Sequence, residues 1–526
     1  MLFNSWVFAA FFIAFFPVYY ALRKHIWLRN AWILAASYFF YGWWNPRFVT
    51  LLAILASVDY LAALGVTGRQ ATSADKLKSA AFPLAVALAC TAFMDSDRIW
   101  LMQVMGVAVG FMVTAIFLID QAPEHQRRKL WLYTSVLANM GVLVYFKYCN
   151  FFIESAQQAL AAIGWQTSPF VLHVILPIGL SFHVFQGVSR TIDCYRGVIK
   201  AEGSLTTVAA YLAFFPQLVA GPIERAKHLI PQFETVRPLS AAMFRSGAQL
   251  FLWGLFMKLV VADNVAPFAN EAFGNADVQD AGTAAAGILA FTMQIYCDFC
   301  GYSNMARGLA RCLGFDLMAN FNQPYFSRTP SEFWRRWHIS LSTWLRDYLY
   351  VGLGGNRNGE ARTYRNLLLT MLLGGLWHGA AWTFVIWGAF HGLILVVYRA
   401  LRIDAWLERH PASSIAGLGV HVLAWAVLMV LVMVGWVFFR AESVGDAMHM
   451  LAALGNLRGV NTDGLVQIAA LITPLIIVEC FQRWKGIAEP LGYGPFLWRF
   501  SAAVVVFMAT FLISAPGGQD FIYFDF

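Results

Sequence analysis

Apolar runs of about the length that enters or crosses a lipid bilayer recur along nearly the whole chain, which limits the folds open to it. Inside a bilayer every backbone N–H and C=O group must be paired within the protein, and runs of about 20 apolar residues pair them as helices. Only 13% of the 526 residues are charged, whereas soluble domains carry about 25%. We therefore predict an all-α polytopic membrane protein. The runs lie at 4–22, 30–44, 48–66, 80–94, 99–119, 130–150, 171–189, 205–220, 241–262, 281–299, 366–398, 415–439, 465–482 and 498–515.

The connections between the early runs alternate in charge. Arg23, Lys24 and Arg29 follow the first run, whereas Arg47 alone follows the second. Because Lys and Arg concentrate in cytoplasmic loops, the alternation predicts an outside N-terminus and cytoplasmic odd-numbered connections. The net charge of +8 is thus explained by loop positions, and we expect no nucleic-acid partner.

The run 205–220 is short and has basic residues on both sides, including Lys200 before it and Arg225 and Lys227 after it. This pattern predicts a re-entrant hairpin with both flanks in the cytoplasm. No linker, low-complexity tract or repeat divides the chain, so we predict a single membrane-embedded domain over residues 1–526.

The segment that begins at Thr329 has the signals of a helix start. Thr329, Pro330 and Glu332 suit the N-cap, the first and the third helical positions. Two glycines at 354–355 suit its end. We expect one helix between these points, lying at the membrane boundary with His338 on its apolar side.

Residues 366–398 form a run of 33 residues without Asp, Glu, Lys or Arg, and His378 lies inside it. One span needs about 20 residues and two need about 40, so the run predicts one full span and a partial one. Gly374, Gly375 and Gly379 are candidates for the break. Irregular backbone at membrane depth persists only where protein or a wet cavity surrounds it, which makes His378 a candidate functional residue.

Two interpretations of the histidines stay open at this point. A neutral, buried His378 could take a proton from a hydroxyl, but histidines also form hydrogen bonds between membrane helices. His338 lies among tryptophans, where a structural role is the commoner one. His391 follows 13 residues after His378 and would lie about 20 Å from it on a continuous helix, so we assign it to packing.

Residues 301–365 carry nine Arg, no Lys and four acidic residues. Arg335, Arg336 and Arg346 suit a phosphate-bearing donor on the cytoplasmic side, and anionic lipid head groups are the alternative partner. Cys297 and Cys300 form a lone pair without nearby ligand histidines, so we expect no metal site. Asp298 is expected to pair with an Arg or to accept backbone hydrogen bonds.

Several motifs together resemble the membrane-bound O-acyltransferase family. Phe333-Trp-Arg-Arg-Trp-His338 and Leu376-Trp-His-Gly379, in this order, are the most specific of them. The family resemblance also includes Leu176-Pro-Ile-Gly-Leu-Ser-Phe182, Val219-Ala-Gly-Pro-Ile-Glu-Arg225 and Asp298-Phe-Cys-Gly-Tyr-Ser303. Three other motifs resemble its alginate O-acetyltransferase branch, which has relatives acting on cellulose and peptidoglycan. They are Phe146-Lys-Tyr148, Gly435-Trp-Val-Phe-Phe-Arg-Ala441 and Phe521-Ile-Tyr-Phe524.

The resemblance implies a helical assembly around a transmembrane tunnel, with re-entrant and interfacial helices, in the bacterial inner membrane. It implies transfer of an acetyl group from cytoplasmic acetyl-CoA, or from an acyl carrier, to an extracytoplasmic polysaccharide such as alginate or to a periplasmic partner transferase. The family's invariant histidine falls on His378 and a second, more variable polar position on His338. We expect His378 to activate the acceptor hydroxyl, His338 to position or polarise the thioester carbonyl, and no permanently bound cofactor.

Two other functions are compatible with the residues alone. A transporter or flippase for a polysaccharide precursor or an acyl carrier would also use a hairpin and a broken helix. A scaffold for a polysaccharide synthase is the third alternative. Cleavage of a thioester by the purified protein separates an enzyme from a carrier, because a carrier has no reason to release free CoA.

Overall fold

The structure, a computed structural model, describes residues 1–94, 98–165, 175–201, 203–219, 221–274, 280–457, 462–515 and 521–522. Every regular element in these ranges is helical, which confirms the all-α prediction. The chain divides into two compact units, one of residues 1–244 and 310–317 and the other of residues 245–309 and 318–526. That the chain works as one domain stays a prediction.

The first unit is built around a long helix, Pro46–Val66, that is buried on nearly all sides. Asp59 in its middle accepts hydrogen bonds from Ser135 Oγ (2.7 Å) and Asn139 Nδ2 (2.8 Å). Both bonds are to Oδ1, and they offset part of the cost of burying this carboxyl group. The helices of this unit are α1 Trp6–Leu22, α2 Ile26–Gly42, α3 Pro46–Val66, α4 Ser73–Thr91, α5 Arg98–Gln121, α6 Glu124–Leu143, α7 Cys149–Ala162, α8 Leu180–Tyr195, α9 Leu205–Leu212, α10 Phe215–Leu218 and α11 Ala226–Glu234, with a π-helical turn at Val144–Tyr148.

The run 205–220 folds as two short helices, α9 and α10, joined by a tight turn; residue 220 itself is outside the described residues. Helices of 8 and 4 residues are too short to cross a bilayer. The turn is held from inside the protein, since Phe215 N donates to Ser37 Oγ (3.1 Å) and Gln217 Nε2 to Tyr211 O (2.6 Å). This geometry supports the predicted hairpin.

The second unit contains both histidines singled out above. Its helices, some of which begin or end in the first unit, are α12 Ala241–Phe256, α13 Asp263–Gly274, α14 Ala281–Cys312, α15 Pro330–Arg336, α16 Ile339–Trp344, α17 Glu360–His378, α18 Trp382–Ala400, α19 Ile403–Glu408, α20 Ile415–Arg440, α21 Val444–Ala453, α22 Asp463–Lys485 and α23 Phe496–Ile513. Shorter elements are π-helical turns at Met257–Ala262 and Leu345–Tyr350 and 3₁₀ turns at Pro324–Phe326 and Pro490–Gly492.

Nine helical segments among the described residues are long and apolar enough to span a membrane, which confirms a polytopic chain. They are Pro46–Val66, Leu101–Gln121, Glu124–Ala162, Ala241–Gly274, Ala281–Cys312, Trp382–Ala400, Ile415–Arg440, Asp463–Lys485 and Phe496–Ile513.

The prediction of one continuous helix from Thr329 to 354–355 is wrong. Its start is confirmed, since Thr329 caps α15 by accepting from Glu332 N. The helix then breaks at His338, which has φ 42°. The break is caused by residues 320–322, which bind backbone groups that would otherwise form the helical hydrogen bonds. Asn322 N, for example, donates to the carbonyl oxygen of Arg336 (3.0 Å).

The break within 366–398 lies directly after His378, at 379–381, and not at Gly374 or Gly375. Both of these glycines are helical. A Cβ on Gly375 would lie 2.3 Å from Phe384 O, so the glycine lets α17 and α18 pack with their backbones in contact. The sequence thus predicted a break in this run, but of the three candidate glycines only Gly379 lies in it.

Candidate active site

His338 sits in the gap between α15 and α16, where Asn320 takes over the missing helical contacts. In a continuous helix Ile339 N would donate to the carbonyl four residues earlier. It donates instead to Asn320 O (2.9 Å), and Ser340 N donates to Asn320 Oδ1 (3.2 Å). These bonds hold the left-handed backbone at His338, which a non-glycine residue adopts rarely.

The same asparagine fixes the tautomer of His338. Asn320 Oδ1 is identified as the oxygen because it accepts from a backbone N–H, and it lies 3.1 Å from His338 Nδ1. An oxygen acceptor requires the proton on Nδ1, so in the neutral ring Nε2 carries the lone pair. Burial lowers the pKa of His338 to about 3, which keeps the ring neutral at physiological pH.

His378 is the last residue of α17 and lies in an aromatic cage. Its ring centroid is 5.1 Å from that of Trp387, 5.1 Å from Phe439 and 4.9 Å from Trp377. Only 5% of the residue is exposed. Gly379 makes this cage possible. A Cβ at residue 379 would overlap the ring of Phe384, which packs on Phe439.

The structure brings the two predicted histidines together. The ring centroids of His338 and His378 lie 6.5 Å apart. At this distance one substrate group can contact both rings. Phe299 closes the other side of His338 at 4.7 Å.

A cavity of about 220 Å³ leads to His378. One wall is a helical stripe of α17, which runs from Leu367 to His378, a rise of about 16 Å. The other wall includes Arg346, whose side chain is 61% exposed and whose Nε lies 2.8 Å from Asp347 Oδ1. The cavity therefore joins an accessible guanidinium to a buried imidazole. Its α17 stripe consists of Leu367, Thr370, Met371, Gly374 and His378, and facing residues are Leu341, Leu345, Arg346, Tyr350, Trp334 and Trp387.

The three predicted arginines do not share one cavity. Arg335 and Arg336 line a separate polar cleft of about 800 Å³, which also holds Arg328 and Glu332. Arg336 is already engaged there, with Nη2 3.1 Å from Glu332 Oε1. Arg346 alone of the three lies with His378.

His391 and Asp298 have structural surroundings. The rings of His391 and His378 both pack on Trp387, at 4.8 and 5.1 Å. The helix breaks between them, so the distance of about 20 Å expected for a continuous helix does not apply. Asp298 Oδ1 pairs with Lys258 Nζ at 2.8 Å and not with an Arg, while its Oδ2 accepts a backbone bond from Ile522 N (2.7 Å), as predicted. Among the described residues, no three His, Cys, Asp or Glu side chains cluster as metal ligands.

Comparison with known proteins agrees with the geometry. Residues 91–435 match the sequence profile of MBOAT, the membrane-bound O-acyltransferase family. The chain belongs to the membrane-bound O-acyltransferase family. It is thus a multi-pass membrane enzyme that transfers acyl groups to hydroxyls.

Three relatives of this acyltransferase illustrate the similarity. A probable alginate O-acetylase AlgI of Azotobacter vinelandii is 40% identical over 94% of this chain and 87% of its own length. A protein of the same name from Pseudomonas aeruginosa is 39% identical over 93% and 83%. A peptidoglycan O-acetyltransferase of Helicobacter pylori is 31% identical over 88% and 81%.

Sequence reasoning on this acyltransferase missed Asn320 and the α17 stripe. Asn320 lies 18 residues before His338, and no local spacing links the two. The stripe could have been found, because positions 367, 370, 371, 374 and 378 follow the helical period. Of the terminal motif Phe521-Ile-Tyr-Phe524, only residues 521–522 are among the described ones.

Proposed function

We propose that this acyltransferase moves an acetyl group from acetyl-CoA in the cytoplasm to a hydroxyl of an extracytoplasmic polysaccharide, alginate, or to a periplasmic partner transferase. The similarity to alginate O-acetylases over 94% of the chain supports the acetyl group and the polymer. The location that gives access to both substrates is the bacterial inner membrane.

The observation that carries the proposal is the cavity that ends at His378. Its volume of about 220 Å³ is below the roughly 300–1,000 Å³ of pockets that hold drug-sized ligands. It extends about 16 Å along α17, so its size and shape suit an extended thioester arm better than a nucleotide or a sugar ring. Arg346 stands at the exposed end, where a phosphate of the donor would lie.

In the proposed reaction His378 acts as a general base. Its neutral imidazole takes the proton of the acceptor hydroxyl while the oxygen attacks the acetyl carbonyl carbon. The tetrahedral intermediate then collapses, the C–S bond breaks, and the CoA thiolate leaves with the electron pair of that bond. The proton on His378 passes to the thiolate, so the products are an acetyl ester and CoA thiol.

His338 would act as a positioning group. Its Nδ1 proton is held by Asn320, so its Nε2 accepts a hydrogen bond and does not donate one. A neutral acceptor can hold a second hydroxyl of the acceptor molecule, next to the one that gives its single proton to His378, whereas polarising a carbonyl would need a donor. We therefore propose that His338 positions the acceptor, which differs from the role at the thioester carbonyl expected from the sequence.

The three arginines would bind different phosphates of the donor, one close to the thioester and others farther from it. Arg346 would contact the phosphate nearest the thioester arm. Arg335 and Arg336 remain proposed contacts for phosphates farther away, and their cleft of about 800 Å³ has the size of a nucleotide-like ligand.

The test is acetyl transfer by the purified protein in lipid nanodiscs. With acetyl-CoA and uronate oligosaccharides, we expect free CoA thiol and acetyl ester to form in equal amounts, and both to form at least about 100-fold more slowly with His378→Ala. An acetylated carrier protein in place of acetyl-CoA tests the other donor. Ester formation only on an added periplasmic transferase would make that protein the first acceptor. No thioester cleavage with any donor and acceptor pair would contradict the proposal.

A further inference from the structure

Phe521 and Ile522, here called the strap, are buried in the second unit. Phe521 is 1% exposed and Ile522 4% exposed. Both residues contact α14, which lies more than 200 positions earlier in the sequence. A backbone segment buried at this depth needs a partner for its polar groups.

The partner of the strap is a carboxylate that is itself held by a buried cation. Ile522 N donates to Asp298 Oδ2 at 2.7 Å. Lys258 Nζ lies 2.8 Å from Asp298 Oδ1 and 2.9 Å from Asp263 Oδ1, and all three side chains are at most 2% exposed. Charges at membrane depth are expensive and mark functional sites by default. Here the charges fix the position of one backbone N–H.

The side chain of Phe521 is connected to His338 by one ring that packs on both, that of Phe299. Phe521 packs on Tyr302 with 4.4 Å between ring centroids and on Phe299 at 6.2 Å. Phe299 meets the ring of His338 edge-on at 4.7 Å. Since packed aromatic rings move together in a close-packed interior, displacement of Phe521 frees Phe299 and then His338.

We propose that the strap is a positioning element of the active site, in which Asp298 holds Ile522 by its backbone N–H so that Phe521 presses Phe299 against His338. The proposal rests on the role of His338 in the proposed function. Asn320 orients the ring of His338 from one side, and the strap holds it from the other.

The experiment compares two substitutions of one residue. Ile522→Pro removes the N–H that Asp298 binds, whereas Ile522→Val keeps it and most of the side chain. We expect Ile522→Pro to lower kcat about 10-fold or more, since small misplacements of catalytic groups cost up to about 100-fold. The donor KM should stay within about twofold, because the donor arm lies against α17 and not against Phe299. Ile522→Val should retain nearly all activity.

The pH profile separates positioning from loss of folded protein. Burial holds the pKa of His338 at about 3. The ring of His378 faces it at 6.5 Å between centroids, and Asp298, the sequence neighbour of Phe299, is paired with Lys258. When the strap is released, water reaches the ring and its pKa rises toward 6.5, so the acid limb of the kcat profile should move to higher pH. A mere loss of folded enzyme lowers kcat equally at every pH.

Phe521→Ala provides the same test with the Asp298 anchor intact, should Ile522→Pro not accumulate in the membrane. It should lower kcat and shift the acid limb in the same direction. Identical profiles for Phe521→Ala, Ile522→Val and the unsubstituted protein would overturn the proposal if His338→Ala is impaired. A fully active His338→Ala would instead overturn the role of His338 in the proposed function.

Discussion

The imidazoles of His338 and His378 lie 6.5 Å apart between ring centroids, although one occupies a helix break and the other ends α17. Both rings are buried, yet only His378 is among the residues that line the described cavity of about 220 Å³. This difference in access gives the two histidines different expected roles.

Substitution of the two histidines should have unequal effects. His378→Ala should lower turnover by about 10²–10⁴, the usual contribution of a general base, and His338→Ala should lower it less. His391→Gln is the matched control, because His391 is as buried and packs on the same Trp387. The measurements are the turnover and the membrane abundance of each variant, which separate a loss of catalysis from a loss of folded protein. Retention of more than about a tenth of turnover by His378→Ala would contradict the base role.

Asn320 should control the protonation of His338. Asn320→Asp keeps an acceptor 3.1 Å from Nδ1 but adds a negative charge, which stabilises the imidazolium and raises the pKa of His338 from about 3. Because the neutral ring is the functional form, activity should then fall at acidic pH where the unsubstituted enzyme is still active. Asn320→Ala, which removes the acceptor, should lower kcat without moving the acid limb upward. The kcat profile between pH 5 and 8 measures both.

Arg346 should respond differently from Arg335 and Arg336. A guanidinium binds phosphate with a planar fork that Lys lacks, so Arg346→Lys should raise the donor KM several-fold while kcat changes little. Arg335→Lys and Arg336→Lys, in the other cleft, should have smaller effects. Attraction to lipid depends mainly on charge, so under that alternative all three Lys variants would be silent and only Ala variants would weaken the enzyme.

The hairpin of α9 and α10 should leave both of its flanks on one side of the membrane. Cysteines at Lys200 and Lys227, in a cysteine-reduced background, should both resist an impermeant thiol reagent in intact cells. Both should react after permeabilisation. Labelling of either position in intact cells would contradict the predicted topology, in which helices of 8 and 4 residues enter the bilayer without crossing it.

Two adjacent glycines of α17 should differ sharply in their tolerance of a methyl group. A Cβ on Gly375 would lie 2.3 Å from the backbone oxygen of Phe384, whereas one on Gly374 would meet only the flexible end of Leu345 at 3.2 Å. Gly375→Ala should therefore cost about 1–3 kcal/mol of stability by overpacking, and Gly374→Ala clearly less. Thermal unfolding of both variants in detergent measures the difference, and equal midpoints would contradict it.

The sequence by itself determined the helical membrane class and the family, because apolar runs and local motifs depend on neighbouring residues only. It also located the start of α15, since an N-cap is a local interaction: Thr329 accepts from Glu332 N as predicted. The period of the cavity stripe on α17 was likewise present in the sequence.

Only the tertiary structure decided where the helices break and which groups meet. His338 leaves the helix because Asn320 supplies hydrogen bonds from 18 residues away. The sequence around His338 does not show that Asn320 supplies these alternative hydrogen bonds. The arginines divide between two cavities because α15 and the turn Leu345–Tyr350 present them in different directions. Contacts between distant segments set these features, and local propensity carries no information about such contacts.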